Sequence, residues 1–169
     1  MSSKFIISEV NPDDYSLYLS CFNNSEFLNS YKLTSNKNYT QNIYNIAFIN
    51  YPFLKRYIIK VNSQPICFCH FLQKNNMTYV SGGIKPELFN SGCGVYCAVL
   101  LYDYYIKSFN PMYLVVQINK SNVRSIKLHE RLGFIVKNWN TIVNMELNCR
   151  QFPNSFAKYI LRRISNEEK

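Results

Sequence analysis

The sequence predicts a mixed α/β fold, and three observations carry that reading. First, strand-like runs at residues 56–61, 65–73 and 77–84 follow one another through short polar links, Asn62-Ser63-Gln64 and Lys74-Asn75-Asn76, which suit antiparallel hairpins. Second, the third run leads through Gly82-Gly83-Ile84 and Pro86 to the loop Asn90-Ser91-Gly92-Cys93-Gly94-Val95. An apolar run at 96–106, too long for an ordinary strand, follows that loop. Third, a further strand-like run at 113–118 precedes another helix-like segment. With a helix intervening, this strand is expected to lie parallel to its predecessor.

Residues 4–10 alternate well enough for a first strand. Asn11-Pro12-Asp13-Asp14 reads as a helix start, with proline near the first turn and acids complementing the helix dipole. Tyr15, Leu17, Tyr18, Leu19 and Phe22 supply the apolar stripe of that helix. Residues 23–38 are rich in Asn and Ser and read as a loop interrupted by Phe27-Leu28. Residues 40–49 have helical apolar spacing at Ile43, Tyr44, Ala47 and Phe48, and Pro52 ends the segment. After the 96–106 helix, stopped by Asn110-Pro111, and the 113–118 strand, the next helix is capped by Asn119 or Ser121. It carries Asn122, Ser125 and His129 at i, i+3 and i+7, on one face. Gly133 stands where a left-handed C-terminal glycine belongs, with Phe134 as its apolar partner. Residues 141–147 read as another strand, and the tail from Gln151 reads as an amphipathic helix packed on the rest. The domain organisation expected is one unit over 1–150 with a helical extension over 151–169.

Composition narrows the class. At 169 residues the chain can bury a real core, and 47% hydrophobic with 17% charged residues excludes disorder. No apolar run is long enough to span a membrane, and residues 1–7 lack the long apolar core of a signal peptide, so a cytoplasmic location is expected. Six cysteines, two of them alternating in a strand at Cys67 and Cys69, read as buried reduced thiols. His70 points to the opposite sheet face from that pair, and no second ligand pair stands at zinc-like spacing, so no metal is expected. The net charge of +9 and the sequence pI of about 9.3 favour acidic partners. The basic clusters lack interleaved aromatics, so a phosphate-rich small ligand is expected rather than nucleic acid.

Gly92 and Gly94 let the chain turn and let a ligand approach the main chain, and the first amides of a helix attract an anion. With the strand at 113–118, the run Asn119-Lys120-Ser121-Asn122 and a helix closing on Leu132-Gly133-Phe134, the stretch 82–134 resembles the GCN5-related N-acetyltransferases. The resemblance covers about a third of the chain. It implies a central mixed, mostly antiparallel sheet with splayed parallel strands 4 and 5 and flanking helices. It further implies an acetyltransferase that moves acetyl from acetyl-CoA directly to a primary amine, working as a monomer or homodimer.

By that resemblance, the cofactor lies along Gly83 and Ile84, its pyrophosphate on Asn90, Ser91, Gly92, Cys93, Gly94, Val95 and Tyr96, with Asn122 and Ser125 on its far side. Phe89 departs from the family's loop pattern, which has Gln or Arg there. His129 occupies the place of the family's catalytic tyrosine and is the candidate acid. Among Glu26, His70, Tyr79 and Glu87, His70 is the candidate base. The approach Gly82-Gly83-Ile84-Lys85-Pro86 is similar to that of amino-sugar and nucleotide-sugar acetyltransferases, so a small-molecule amine of that kind is the expected acceptor. A protein N-terminus or lysine is the alternative acceptor, and a non-catalytic acyl-CoA sensor the alternative class.

Overall fold

The two polar links become two-residue turns. Asn62 and Ser63 have φ of 49° and 65°, and Asn75 and Asn76 have 50° and 62°, the double positive-φ geometry whose twist matches flanking strands. These turns join β2 (Leu54–Val61), β3 (Gln64–Lys74) and β4 (Met77–Ile84) into an antiparallel meander. The computed structural model describes residues 5–31, 45 and 47–167. Within them, β1 (Phe5–Glu9) pairs antiparallel with β2. Strand β5 (Tyr113–Asn119) lies parallel to β4, and β6 (Ile135–Trp139) and β7 (Ile142–Asn148) complete one sheet in the order β1-β2-β3-β4-β5-β7-β6.

Helices cover both faces. Helix α1 (Tyr15–Phe22) follows a single 3-10 turn whose entry is a capping box. The Asn11 side chain accepts from the Asp13 amide at 3.0 Å, and Asp14 accepts from the Asn11 amide at 3.1 Å. Asp14 also pairs with Lys60 Nζ at 2.7 Å, fastening this corner to β2. Helix α1 and α2 (Ser25–Tyr31) bury Leu17, Tyr18, Cys21, Phe22 and Phe27 against Ile58 and Phe68 of the sheet. On the other face α3 (Cys93–Phe109), α4 (Val123–Arg131) and α5 (Ser155–Glu167) cover the larger core, where Phe71 stacks on Tyr105 at 4.0 Å between ring centres. Cys67, Cys69 and Phe71 of β3 join this core, while Phe68 and His70 point to the α1 side.

Three sequence expectations need correction. The loop read at 23–38 contains α2, whose start is capped by Asn24. Its side chain accepts from the Phe27 amide at 3.0 Å, so the Asn/Ser composition marks a helix entry rather than a loop. Strand β6 was not anticipated, because Ile135, Lys137, Asn138 and Trp139 are exposed on the sheet's edge and carry no buried alternation. Helix α4 is capped by Asn122, not by Asn119 or Ser121; its side chain accepts from the Ser125 amide at 3.2 Å. The far end of α4 matches expectation. Gly133 has φ of 93°, and the Phe134 and Gly133 amides donate to the His129 and Glu130 carbonyls. Most of the helix expected over 40–49 lies outside the described residues. The tail helix α5 buries Ala157, Ile160 and Ile164.

Candidate active site

Strands β4 and β5 pair only from Met77↔Tyr113 to Val80↔Val116. Beyond that point each keeps its outer neighbour, β3 as far as Ile84 and β7 as far as Asn119, while the inner edges diverge. The Lys85 amide donates to the Ile66 carbonyl at 2.8 Å. By strand alternation the main-chain groups of Gly82 and Ile84 therefore point away from β3, on the side of the gap, and the Ile84 carbonyl there accepts from Cys21 Sγ at 3.4 Å. A cleft of about 760 Å³ occupies this gap. Gly83 sits where no side chain fits: a Cβ there would lie 2.5 Å from the Phe27 ring and 2.9 Å from that of Phe68. Its glycine is explained by packing as well as by ligand approach.

The loop predicted to cradle an anion stands at the cleft. Gly92, with φ of 84°, is the N-cap of α3. The Ser91 hydroxyl accepts from the Cys93 amide at 3.2 Å and donates to the Leu88 carbonyl at 2.7 Å, which holds the turn. Chain neighbours and the helix's own backbone apart, a Cβ on Gly92 or Gly94 would meet no atom of the described residues within 4 Å, so the space before these residues is open. At Phe89, where a polar side chain was expected, the ring instead carries the Arg124 guanidinium 4.9 Å from its centre. Arg124 also donates to Asn90 Oδ1 and to Glu26 Oε1, both at 2.8 Å. One α4 arginine thus ties the glycine loop to α2 across the cleft mouth. Arg124, Lys127 and Arg131 line the cleft and, among the described residues, no Asp or Glu does, so its field favours a negatively charged guest.

Deeper in, α4 presents Asn122, Ser125 and His129 to the cleft, on one helix face as their spacing requires. His129 is buried, and its Nδ1 lies 2.7 Å from the Ser125 carbonyl oxygen. A carbonyl only accepts, so Nδ1 carries the proton and Nε2 accepts from the Tyr102 hydroxyl at 2.8 Å. Burial draws the imidazole down to about 4, against the opposing effect of the Ser125 bond, so the ring is neutral at neutral pH. Asn119, at the end of β5, is also buried and lines the same cleft. Its Oδ1 accepts from the Ser121 amide and hydroxyl, whereas its Nδ2 has no partner among the described residues. Buried amide donors are rarely left so, and this one lines the cleft.

A second cleft, of about 560 Å³, lies on the α1 side of the sheet. His70 lines it, buried, with Nε2 2.7 Å from the Tyr18 hydroxyl. Burial, and then the nearby Arg56 charge, draw His70 down to about 3. Val80, Ser81 and Gln117 border both clefts, so the two meet where β4 and β5 part.

Of the residues predicted from sequence, Gly83, Ile84, Asn90, Gly92, Gly94, Val95, Asn122, Ser125 and His129 line the first cleft. Ser91, Cys93 and Tyr96 support it without lining it, and His70 belongs to the second cleft. Glu26 is engaged at the mouth by Arg124, Tyr79 lines the second cleft, and Glu87 is exposed on the 3-10 turn after β4. The sequence reading assigned no site role to Asn119, Arg124, Tyr102 or Arg56. Asn119 could have been noticed as a polar residue ending an apolar strand, but the others come together only through the fold. Among the described residues no group of three or more His, Cys, Asp or Glu could hold a metal ion. No helix among them is long and apolar enough to cross a membrane.

No protein-family model matches the sequence, and no curated protein matches it either. Solved structures do match in shape. A domain from Methanocaldococcus jannaschii is 21% identical with a TM-score of 0.73, over 86% of this chain and 99% of that one. The spermidine N-acetyltransferase of Vibrio cholerae, in complex with CoA and spermine, is 14% identical with a TM-score of 0.72, over 89% and 98%. An aminoglycoside N(6')acetyltransferase from Legionella pneumophila is 13% identical with a TM-score of 0.65, over 89% and 95%. At such identities the likeness is one of fold, and the fold, a seven-stranded mixed sheet parting between parallel β4 and β5, is that of the GCN5-related N-acetyltransferases.

Proposed function

We propose that the protein is an acetyl-CoA-dependent N-acetyltransferase, with an amino sugar or nucleotide-linked amino sugar as acceptor. The observation that carries this reading is the parting of β4 from β5 beyond Val80 and Val116, with an open glycine turn at the helix entry beside it. The residues present fit such a cofactor. The main chain of β4 beyond Val80 borders the gap, where an extended amide-bearing arm could add as a strand would, sharing the Ile84 carbonyl with the Cys21 thiol. Gly92 and Gly94 leave room for a diphosphate at the start of α3, Arg124, Lys127 and Arg131 supply positive charge, and the Asn119 Nδ2 donor lacks a partner among the described residues. Asn122 and Ser125 form the opposite wall. Bound there, acetyl-CoA would supply an activated acetyl group.

The chain's own contribution is orientation and proton handling. Direct transfer needs a neutral amine and a proton for the leaving thiol. In our reading the proton source is the Tyr102–His129 pair rather than His129 alone. The His129 Nδ1 proton is committed to the Ser125 carbonyl, and the mobile proton is the one on the bond between the Tyr102 oxygen and Nε2. His70 serves the acceptor side. Held near 3, it stays neutral, and its low basicity suits accepting a hydrogen bond from an amine more than removing an ammonium proton.

The test is release of free thiol from acetyl-CoA over a panel of amines, with CoA binding measured separately. Turnover on an amino sugar supports the reading, whereas tight CoA binding without turnover on any amine favours the acyl-CoA sensor. Tyr102→Phe and His129→Ala should each lower kcat by roughly 10²- to 10⁴-fold with little change in CoA affinity, and the double variant should be no worse than either. Additive losses would separate the two residues.

A further inference from the structure

Resting on the acetyl-CoA reading of the first cleft, we infer that Arg124 is the side chain that grips the cofactor's diphosphate, that Phe89 positions it, and that Glu26 is a rival the diphosphate displaces rather than a partner binding needs. The three meet at the cleft mouth although Arg124 comes from α4, Phe89 from the approach to the glycine loop and Glu26 from α2. Arg124, Phe89, Asn90, Gly92 and Gly94 all line the cleft.

Arg124 is the second residue of α4, in a first turn that holds no acid. The partial positive charge at a helix N-terminus disfavours a cation, so helix formation does not account for an arginine at this place. Its side chain leaves the helix for the loop instead. Nη1 donates to Asn90 Oδ1 and Nη2 to Glu26 Oε1, both at 2.8 Å, while the guanidinium lies 4.9 Å from the Phe89 ring centre. The Phe89 ring is itself packed against the smaller core that α1 and α2 form with the sheet, so the platform is fixed. Asn90 stands two residues before Gly92, the N-cap of α3, where the space for a guest is open. The protein thus holds the guanidinium beside the turn, and the entropy of ordering a long side chain does not fall on ligand binding. A guanidinium carries five N–H donors; these bonds use two and leave three for phosphate oxygens, which its fork geometry suits. The Glu26 side chain is 58% exposed, so its ion pair with Arg124 is weak and screened. A diphosphate brings more negative charge to the same cation, and the Glu26 carboxylate repels it as it arrives.

Calorimetric titration of the full chain with CoA, with folding checked by circular dichroism, tests this by the sign of the effects. Arg124→Ala should weaken CoA binding several-fold, and Arg124→Lys should recover part of the loss. Glu26→Gln should bind CoA at least as tightly as the unmodified protein, because a like charge has gone from the mouth. Were Arg124 only a tie between α2 and the loop, Glu26→Gln would break the same tie and weaken binding as Arg124→Ala does; that result would overturn the inference. Phe89→Leu, which keeps apolar bulk and removes the ring, should lower affinity several-fold beside Arg124 and by nothing further in the Arg124→Ala background. Additive losses would overturn the positioning role of Phe89. An Arg124→Ala protein that binds CoA as tightly as its parent would sink the inference and leave the cofactor reading standing, whereas absence of CoA binding by the unmodified protein would remove both.

Discussion

Valine at position 94 separates ligand approach from fold stability. A Cβ on Gly94 touches nothing within 4 Å, and its backbone is outside the left-handed region that Gly92 occupies at φ of 84°. Gly94 is the second residue of α3, where valine is a better helix former than glycine by a few tenths of a kcal/mol. The variant should therefore melt within about 2 °C of the parent. A guest anion sees the opposite effect, because valine fills the open space before the helix amides. Losing one hydrogen bond to a charged group costs about 1.5 to 3 kcal/mol, so CoA affinity should fall roughly 10- to 100-fold. Calorimetry with CoA, paired with a thermal melt, reads both quantities on one sample. An unchanged CoA dissociation constant in a folded Gly94→Val protein would refute the assignment of the loop. The same change at Gly92 is less informative, since a left-handed conformation costs a side chain about 1 to 2 kcal/mol whatever the ligand does.

Arg124→Ala should weaken CoA binding several-fold while shifting stability by less than about 1 kcal/mol, because its ion pair with Glu26 is largely exposed; calorimetry and melting would read both. The two histidines make an acid-side prediction. Each is held neutral in the fold, His70 near 3 and His129 near 4, while the unfolded rings titrate near 6.5. The unfolded chain thus binds more protons below 6.5. Stability is complete above that pH, falls as pH drops toward 4, and should be about 2 kcal/mol lower per histidine at pH 5. Urea denaturation at pH 7 and 5 should show the difference shrinking by about that amount in His129→Gln. Ile160→Ala, at a 5% exposed position on α5, should cost about 2 to 5 kcal/mol by equilibrium unfolding if the tail is part of the core. A loss under 0.5 kcal/mol would make α5 an appendage.

The fold was legible where local chemistry and pattern agree. The paired asparagines at 75 and 76 accept positive φ, the apolar run after Gly94 is too long for a strand, and Gly133 ends α4. Legibility failed where one signal has two meanings. Asn24 in a polar stretch reads as loop until its side chain is seen capping α2. Strand β6 has little burial of its own and exists because β7 offers it an edge.

The site was legible in its main-chain part and opaque in its side-chain part, for a physical reason. A glycine turn before a helix is a local device, so the loop at 90–95 can be read from six residues. Charge placement is not local. Position 89 shows a phenylalanine where the family pattern has a cation or amide, and along the chain that is a missing contact. In the fold the Phe89 ring is the platform on which Arg124, 35 positions downstream, lays its guanidinium beside Asn90. The histidines make the same point from the other direction. Their spacing marks them as candidates, but their protonation follows from Tyr18, Arg56, Tyr102 and the Ser125 carbonyl, gathered from separate elements. A buried, neutral imidazole with its N–H already bonded is a poor isolated acid. Only with its tyrosine does it become a place where a proton can move. Chemistry in this fold should therefore be sought in such pairs across elements, and Tyr102 with His129 is where substitution has most to reveal.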